Sequence, residues 1–223
     1  MEKYVTPSLL NVEKENRLKM VDKLINNGIR WIHYDVMDGE FVPNTAIEIE
    51  EIINIDEKGL KHIKDAHLMV TNPYEYVEKL KNYVDILTFH YEAVEQDLEK
   101  FDEFLTNNQH SLKIGLAIKP NTEVLKIKKF LDRLTIVLVM SVEPGKGGQK
   151  FIESSVDKIR ELKSIRMAEV YDYLIQVDGG INDITGPVSL RAGADAVVAG
   201  TYLISNPTTK RIQSILGNFK LEL

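Results

Sequence analysis

The chain contains no cysteine. That excludes disulfide cross-links, thiolate zinc sites and thiol nucleophiles, and it leaves histidine, aspartate and glutamate as the side chains able to ligate a metal. Histidine is itself scarce, at five residues, so each position counts. Basic charge is not in excess: 28 Lys and Arg against 34 Asp and Glu give a formal net charge of −6. The chain therefore lacks the electrostatic footprint of a nucleic-acid or anionic-membrane binder, and an anionic ligand would have to be held by local groups. Long hydrophobic runs are also missing. Ile136 to Met140 is one of the longest and is far too short to cross a bilayer, and Met1 to Pro7 carry no apolar signal segment. A soluble, cytoplasmic protein is expected. No linker or low-complexity segment divides the 223 residues, of which 43% are hydrophobic; one globular domain over residues 1–223, with a core that needs no staples, follows.

What the sequence does hold is a regular alternation. Short β-branched runs are expected as strands at Tyr4 to Leu10, Trp31 to Met37, Asp65 to Val70, Ile86 to His90, Leu112 to Ile118, Thr135 to Ser141, Tyr173 to Val177 and Ala196 to Ala199. Helical patterns separate most of them. The first runs from Glu13 to Asn27 and is closed by Gly28, and later starts are signalled by Asn72-Pro73, Asn121-Thr122, Asp183 and Asn206-Pro207. Eight βα units in about 220 residues predict a compact α/β fold of the (β/α)8 barrel type, because an open doubly wound sheet usually has fewer strands.

In such a barrel the chemistry lies at the C-terminal ends of the strands. His33 and Asp35 end the second strand, two residues apart and so on one face; His67 ends the third, with Met69 on the same face; Asp178 directly follows the seventh. Two imidazoles and two carboxylates thus converge, a mixed nitrogen and oxygen set that zinc, iron or manganese would accept. Glycine supplies a second constellation. Gly145-Lys146-Gly147-Gly148 follows the sixth strand, Gly179-Gly180 the seventh and Gly200-Thr201 the eighth. Each glycine pair alone would serve a tight turn, but three adjacent loops together favour a backbone cradle for phosphate. Asp38, in an Asp-Gly pair, is expected to bond local backbone. His90 is expected to make a structural hydrogen bond with no link to the proposed ligands, and His62 and His110 to lie on the surface.

The chain resembles the ribulose-phosphate 3-epimerase family over nearly its whole length. The resemblance is carried by Pro7 to Leu10, by Trp31 to Gly39 continuing through Phe41 to Asn44, by His67 to Val70 and by Thr88 to Glu92. Val139 to Gly145 leading into Gly147 to Phe151, then Val177 to Asn182, Ala192 to Asp195 and Ala199-Gly200, complete it. The resemblance implies that one divalent metal is bound by His33, Asp35, His67 and Asp178, and that Asp35 and Asp178 are also the two catalytic acid–base groups. The implied reaction interconverts D-ribulose 5-phosphate and D-xylulose 5-phosphate in the pentose phosphate pathway through a cis-enediolate. Inversion at a carbon next to a ketone removes a proton from one face and delivers one to the other, so two groups are needed. It further implies substrate contacts from Ser8, His33, His67, Met37, Met69, Met140 and Asp178. The glycine loops, including Lys146 and Thr201, would hold the phosphate. A homo-oligomer, dimer or hexamer, is the expected assembly.

The chain departs from the family pattern at Lys146, where phenylalanine is more usual and where loop closure is thereby affected, at Glu48, where glycine is common, and at Asn11 to Glu13. An epimerase of a six-carbon ketose phosphate such as allulose 6-phosphate would use the same groups. More distant readings are a Schiff-base aldolase using Lys119, whose place before Pro120 in a polar turn argues against it, and a phosphate-binding barrel without chemistry.

Overall fold

The computed structural model describes residues 2–220. Eight strands, β1 Tyr4–Pro7, β2 Trp31–Met37, β3 Ile63–Met69, β4 Ile86–His90, β5 Ile114–Ile118, β6 Ile136–Met140, β7 Leu174–Asp178 and β8 Ala196–Ala199, pair in parallel in the order β1-β8-β7-β6-β5-β4-β3-β2. A parallel bridge between Ser8 and His33 links the two ends, so the sheet closes into a (β/α)8 barrel as the alternation of strands and helices predicts. The main helices are α1 Arg17–Asn26, α2 Ile49–Lys58, α3 Pro73–Leu80, the single turn α4 Tyr91–Val94, α5 Leu98–Asn108, α6 Ser155–Glu169, α7 Thr185–Ala192, the single turn α8 Thr201–Ile204 and α9 Thr209–Leu216. Among the described residues no helix is long and apolar enough to cross a membrane.

The period of two in the strands divides the core. Outward residues such as Ile32, Tyr34, Leu68, Phe89 and Leu116 join the helices in one large apolar cluster. Inside the barrel Trp31, Ile86, Ile136 and Ala196 form a separate apolar base. Above that base the interior is polar: Thr6, His33, Asp65, Thr88 and Gln176 are all fully buried and hydrogen-bonded to one another across the barrel.

Side-chain hydrogen bonds account for several of the shifts from the expected elements. β1 stops at Pro7, after which the chain turns back with the Leu10 N–H donating to Ser8 Oγ. The segment from Glu13 begins as a 3-10 turn, Lys14–Asn16, before α1. Thr122 caps no helix, because its hydroxyl donates to Glu92, and the stretch Val124–Arg133 is 3-10 rather than α. Asn182, not Asp183, prepares α7, its Oδ1 accepting from the N–H groups of Ile184 and Thr185 at 2.8 and 3.0 Å. The last helix starts after Thr208, whose hydroxyl accepts from Arg211 N–H, two residues beyond the Asn206-Pro207 pair.

Asp195 fastens the closing strands. Its fully buried carboxylate accepts from Lys3 Nζ and from the Ile175 N–H, both at 3.0 Å, and from the Arg166 guanidinium. It thereby joins the N-terminal segment, α6 and β7. Asp195→Ala leaves the mostly buried Arg166 without its carboxylate partner and is expected to lower the free energy of unfolding by about 3–5 kcal/mol, read by urea denaturation. A loss below about 1 kcal/mol would show that these contacts are no stronger than surface ion pairs.

Candidate metal and active site

His33 and Asp35 lie on β2, His67 on β3 and Asp178 at the end of β7, and each offers one nitrogen or oxygen to a group whose ligand atoms all lie within 4.8 Å of one another. Nε2 of His33 is 3.2 Å from Nδ1 of His67 and 3.6 Å from Asp35 Oδ1. Nδ1 of His67 is 3.4 Å from Asp35 Oδ1 and 3.7 Å from Asp178 Oδ2, and His33 Nε2 is 3.9 Å from that same oxygen. A tetrahedral ion with bonds of about 2.0–2.1 Å needs ligand atoms about 3.3–3.4 Å apart. The four atoms meet this spacing closely enough that small movements would complete it, so the residues fit a metal.

Strand register produces the cluster: β2 and β3 pair with Asp35 opposite His67 and His33 opposite Asp65. Asp65 is fully buried, and its Oδ2 accepts from His33 Nδ1–H at 2.8 Å and from Gln176 Nε2 at 3.0 Å, while its Oδ1 accepts from the Thr88 hydroxyl at 3.2 Å. Asp35 accepts from the Ser8 hydroxyl at 2.5 Å. These neighbours set the proton affinities. Burial works against a charged His33, but Asp65 and Asp35 outweigh it and raise its pKa well above the ordinary imidazole value. Burial would raise Asp35, yet His33 and His67 together hold its carboxyl far below the carboxylate range. His67 is lowered by burial. Asp178 goes the other way: burial, then the negative charge of Asp35, push it up to about 7.

The cluster faces a cavity of about 500 Å³ at the C-terminal ends of the strands. Ser8, Asp35, Asp178, Met37, Met69 and Met140 line it together with the glycine-loop residues Gly145, Lys146, Gly147, Gly148, Gly179, Gly180, Gly200 and Thr201. The glycines are of two kinds. An added Cβ on Gly180 (φ +63) would lie 2.5 Å from the Phe151 backbone nitrogen, and one on Gly179 (φ +122) 2.4 Å from Val142, so packing and conformation require glycine there. At Gly200 an added Cβ would meet nothing within 4 Å. What its missing side chain provides is access to the backbone.

The family described as the Ribulose-phosphate 3 epimerase family matches this sequence over residues 4–204. The chain belongs to that family. It is 38% identical to the ribulose-phosphate 3-epimerase of Bacillus subtilis (strain 168), over 96% of this chain and 98% of that one. It is 35% identical to the ribulose-phosphate 3-epimerase of Schizosaccharomyces pombe, over 96% and 92%. A solved structure, 3-keto-L-gulonate-6-phosphate decarboxylase from Vibrio cholerae, superposes with a TM-score of 0.71 over 97% of this chain and 96% of its own, at 11% identity. That likeness concerns the barrel alone.

In this member of the epimerase family the structure gathers the expected residues at one end of the barrel, but not all of them line the cavity. His33 and His67 were expected to touch substrate as well as ion, but both are fully buried and absent from the cavity lining, which the two carboxylates reach instead. His90 does make hydrogen bonds, but not in isolation from the candidate ligands: its Nε2 lies 2.8 Å from His67 Nε2. His62 is half-buried rather than a free surface residue, because its Nε2 accepts from the Tyr34 hydroxyl at 2.7 Å; His110 is exposed. Asp38 bonds the local N–H groups of Glu40 and Phe41, and also Thr71. Glu48 stands at the N-cap of α2 and pairs with Lys14, which gives that departure a local role. Lys119 stacks its ammonium over the Phe41 ring at 4.5 Å, outside the cavity lining, which removes the geometric basis for a Schiff-base lysine. Sequence reasoning missed Asp65, Thr88, Glu92 and Gln176. Three of these carried a signal, since Asp65-x-His67 and Thr88-x-His90-x-Glu92 repeat the same-face spacing that singled out His33 and Asp35.

Because Asp178 keeps its proton below about 7 and the proton affinity of His33 is raised well above that of an ordinary imidazole, a cation must displace protons from both at low pH, and that competition fades as pH rises. The affinity of metal-free protein for zinc or cobalt is therefore expected to increase with pH, more steeply below about pH 7 than above it. Calorimetric titration from about pH 5.5 to about pH 8.5 would measure this, and a flat profile would contradict these proton assignments.

Proposed function

We propose that this chain interconverts D-ribulose 5-phosphate and D-xylulose 5-phosphate as a metal-dependent 3-epimerase of the pentose phosphate pathway. The observation that carries the reading is the pair Asp35 and Asp178. They reach one cavity from β2 and β7, beside the only His and Asp cluster among the described residues that could hold a metal, and their proton affinities are pushed in opposite directions. Removing the C3 proton from one face and returning a proton to the other requires two such groups, one ready to accept and one ready to donate. Ser8 holds the Asp35 carboxylate in place through its hydroxyl. The thioethers of Met37, Met69 and Met140 give the reacting end an apolar wall that limits water.

His33, Asp35, His67 and Asp178 would hold a single divalent ion, with zinc, iron and manganese the species suited to two imidazoles and two carboxylates. When bound, it would supply positive charge that lowers the cost of the negative charge developing on the substrate as the C3 proton leaves. At the other end of the cavity the loops at Gly145 to Gly148, Gly179-Gly180 and Gly200-Thr201 would bind the phosphate through backbone N–H groups, with Lys146 adding a cation at the rim. We further assign the chain to the cytoplasm as a single barrel domain and expect a homo-oligomer, dimer or hexamer.

Purified protein is expected to convert ribulose 5-phosphate to xylulose 5-phosphate, with activity lost on chelation and restored by one of the three ions. Asp178→Asn and Asp35→Asn are each expected to lower turnover by about 10²–10⁴-fold, measured by NMR of the product in D2O with the label entering at C3. Faster turnover of allulose 6-phosphate would keep the chemistry and change the substrate. Retention of near-full turnover by either variant would rule out the two-carboxylate scheme.

A further inference from the structure

The two imidazoles of the site differ in what stands behind them. His33 backs directly onto the Asp65 carboxylate. His67 backs onto a second imidazole, with Nε2 of His67 and Nε2 of His90 2.8 Å apart, and Nδ1 of His90 lies 3.0 Å from Glu92 Oε2. The other oxygen of Glu92, Oε1, accepts from the backbone N–H of Lys119 at 2.9 Å and from the Thr122 hydroxyl. Both imidazoles are fully buried and the Glu92 side chain is 13% exposed. The Phe41 ring packs on His90 with centroids 4.9 Å apart.

Such a chain has a direction. An ionised carboxylate only accepts, and Glu92 is fixed as an acceptor by two donors on its far oxygen. His90 must then carry its proton on Nδ1, which leaves Nε2 bare and turned to His67. His67 in turn donates from Nε2. Its Nδ1 is left with a lone pair rather than a proton, and that is the atom facing His33 Nε2 at 3.2 Å, Asp35 and Asp178. The order of events runs from the loop after β5, which supplies Lys119 and Thr122, through Glu92 and His90 to the cation site. No residue of that loop lines the cavity.

We propose that Glu92 and His90 are positioning residues that fix the tautomer of His67, so that its Nδ1 lone pair is presented to the metal site before any ion arrives. The consequence for metal binding rests on the proposed metal site; the tautomer is a property of the chain itself. Partners in this outer position commonly change metal affinity by 10- to 100-fold, because a ligand held in the wrong tautomer has to exchange its proton before it can bind.

The test is histidine nitrogen NMR on the ¹⁵N-labelled full chain, metal-free and zinc-loaded. In both states His67 is expected to be protonated on Nε2 and to carry no proton on Nδ1, and His90 to be protonated on Nδ1. Glu92→Gln keeps the size of the side chain and removes its charge. It is expected to give a mixture of His67 tautomers in the metal-free protein and to weaken zinc binding by about 10-fold, a tautomer change that loss of packing alone would not produce. His67 protonated on Nδ1 in the metal-free wild type, or a Glu92→Gln protein with unchanged tautomers and affinity, overturns the proposal. Should that variant not fold, the wild-type spectra decide. Should the wild type bind no zinc, the metal reading fails while the metal-free spectra still judge the relay.

Discussion

Asp65 is the group on which the interior of this barrel depends. Taking a carboxylate wholly out of water costs several kcal/mol unless good donors surround it, and here they come from three strands: His33 on β2, Thr88 on β4 and Gln176 on β7. The fifth strand contributes space. A Cβ on Gly115 would lie 2.5 Å from the Thr88 hydroxyl oxygen, so a side chain there would displace one of the donors. Gln176 then passes the network to Thr6 on β1. A barrel interior that could have been filled with branched apolar side chains instead carries a polar layer between an apolar base and the mouth, and the upper side of that layer is the site.

That layer explains how two aspartates on one rim acquire different proton affinities. Burial disfavours a charged Asp35, but both imidazoles stand beside it and it receives the Ser8 hydroxyl, and His33 and His67 together outweigh the burial and hold it in the charged form. Asp178 faces the same imidazoles from farther away, at 3.7 and 3.9 Å, and the charge of Asp35 and its own burial both work against ionisation. The asymmetry is a matter of strand position rather than residue type. The proposed two-sided proton transfer needs such an inequality, since two identical carboxylates would begin in the same state.

Much of this was legible along the chain because period two is a local property. His33-x-Asp35 declared a shared face, and the eight β-branched runs declared a barrel; for β2, β4 and β8 even the bounds match those expected. What stayed hidden depends on stagger between strands. Nothing local says that Asp35 lies opposite His67, or that His67 in turn lies opposite Thr88 and within reach of His90. Thr122 misled for the same reason: its place before an amphipathic run is a helix-cap signal, but a buried carboxylate from another strand end took the hydroxyl first. A side chain with two possible partners goes to the one that would be costlier to leave unpaired.

The rim is held together by amide side chains, two of which cross from loop to loop while Gln149 braces the loop after β6 from within. Asn44, in the loop after β2, donates to the Gly145 carbonyl at 2.7 Å, and Gln149 donates to the carbonyls of Glu143 and Lys146. Asn11, in the loop after β1, donates to the Thr201 hydroxyl at 2.7 Å, and an added Cβ on Gly147 would press on that same amide at 2.8 Å. Loops following β1, β2, β6 and β8 are therefore fastened to one another over the cavity. In the proposed reaction this matters because the phosphate end and the reacting carbon belong to one small molecule. A fixed distance between glycine loops and carboxylates turns phosphate binding into alignment of C3 between Asp35 and Asp178, which is how binding energy far from the reacting bond lowers its barrier. On that argument the exposed Lys146 sits on a loop whose backbone is already secured, and its charge can act on the phosphate without having to hold the loop closed.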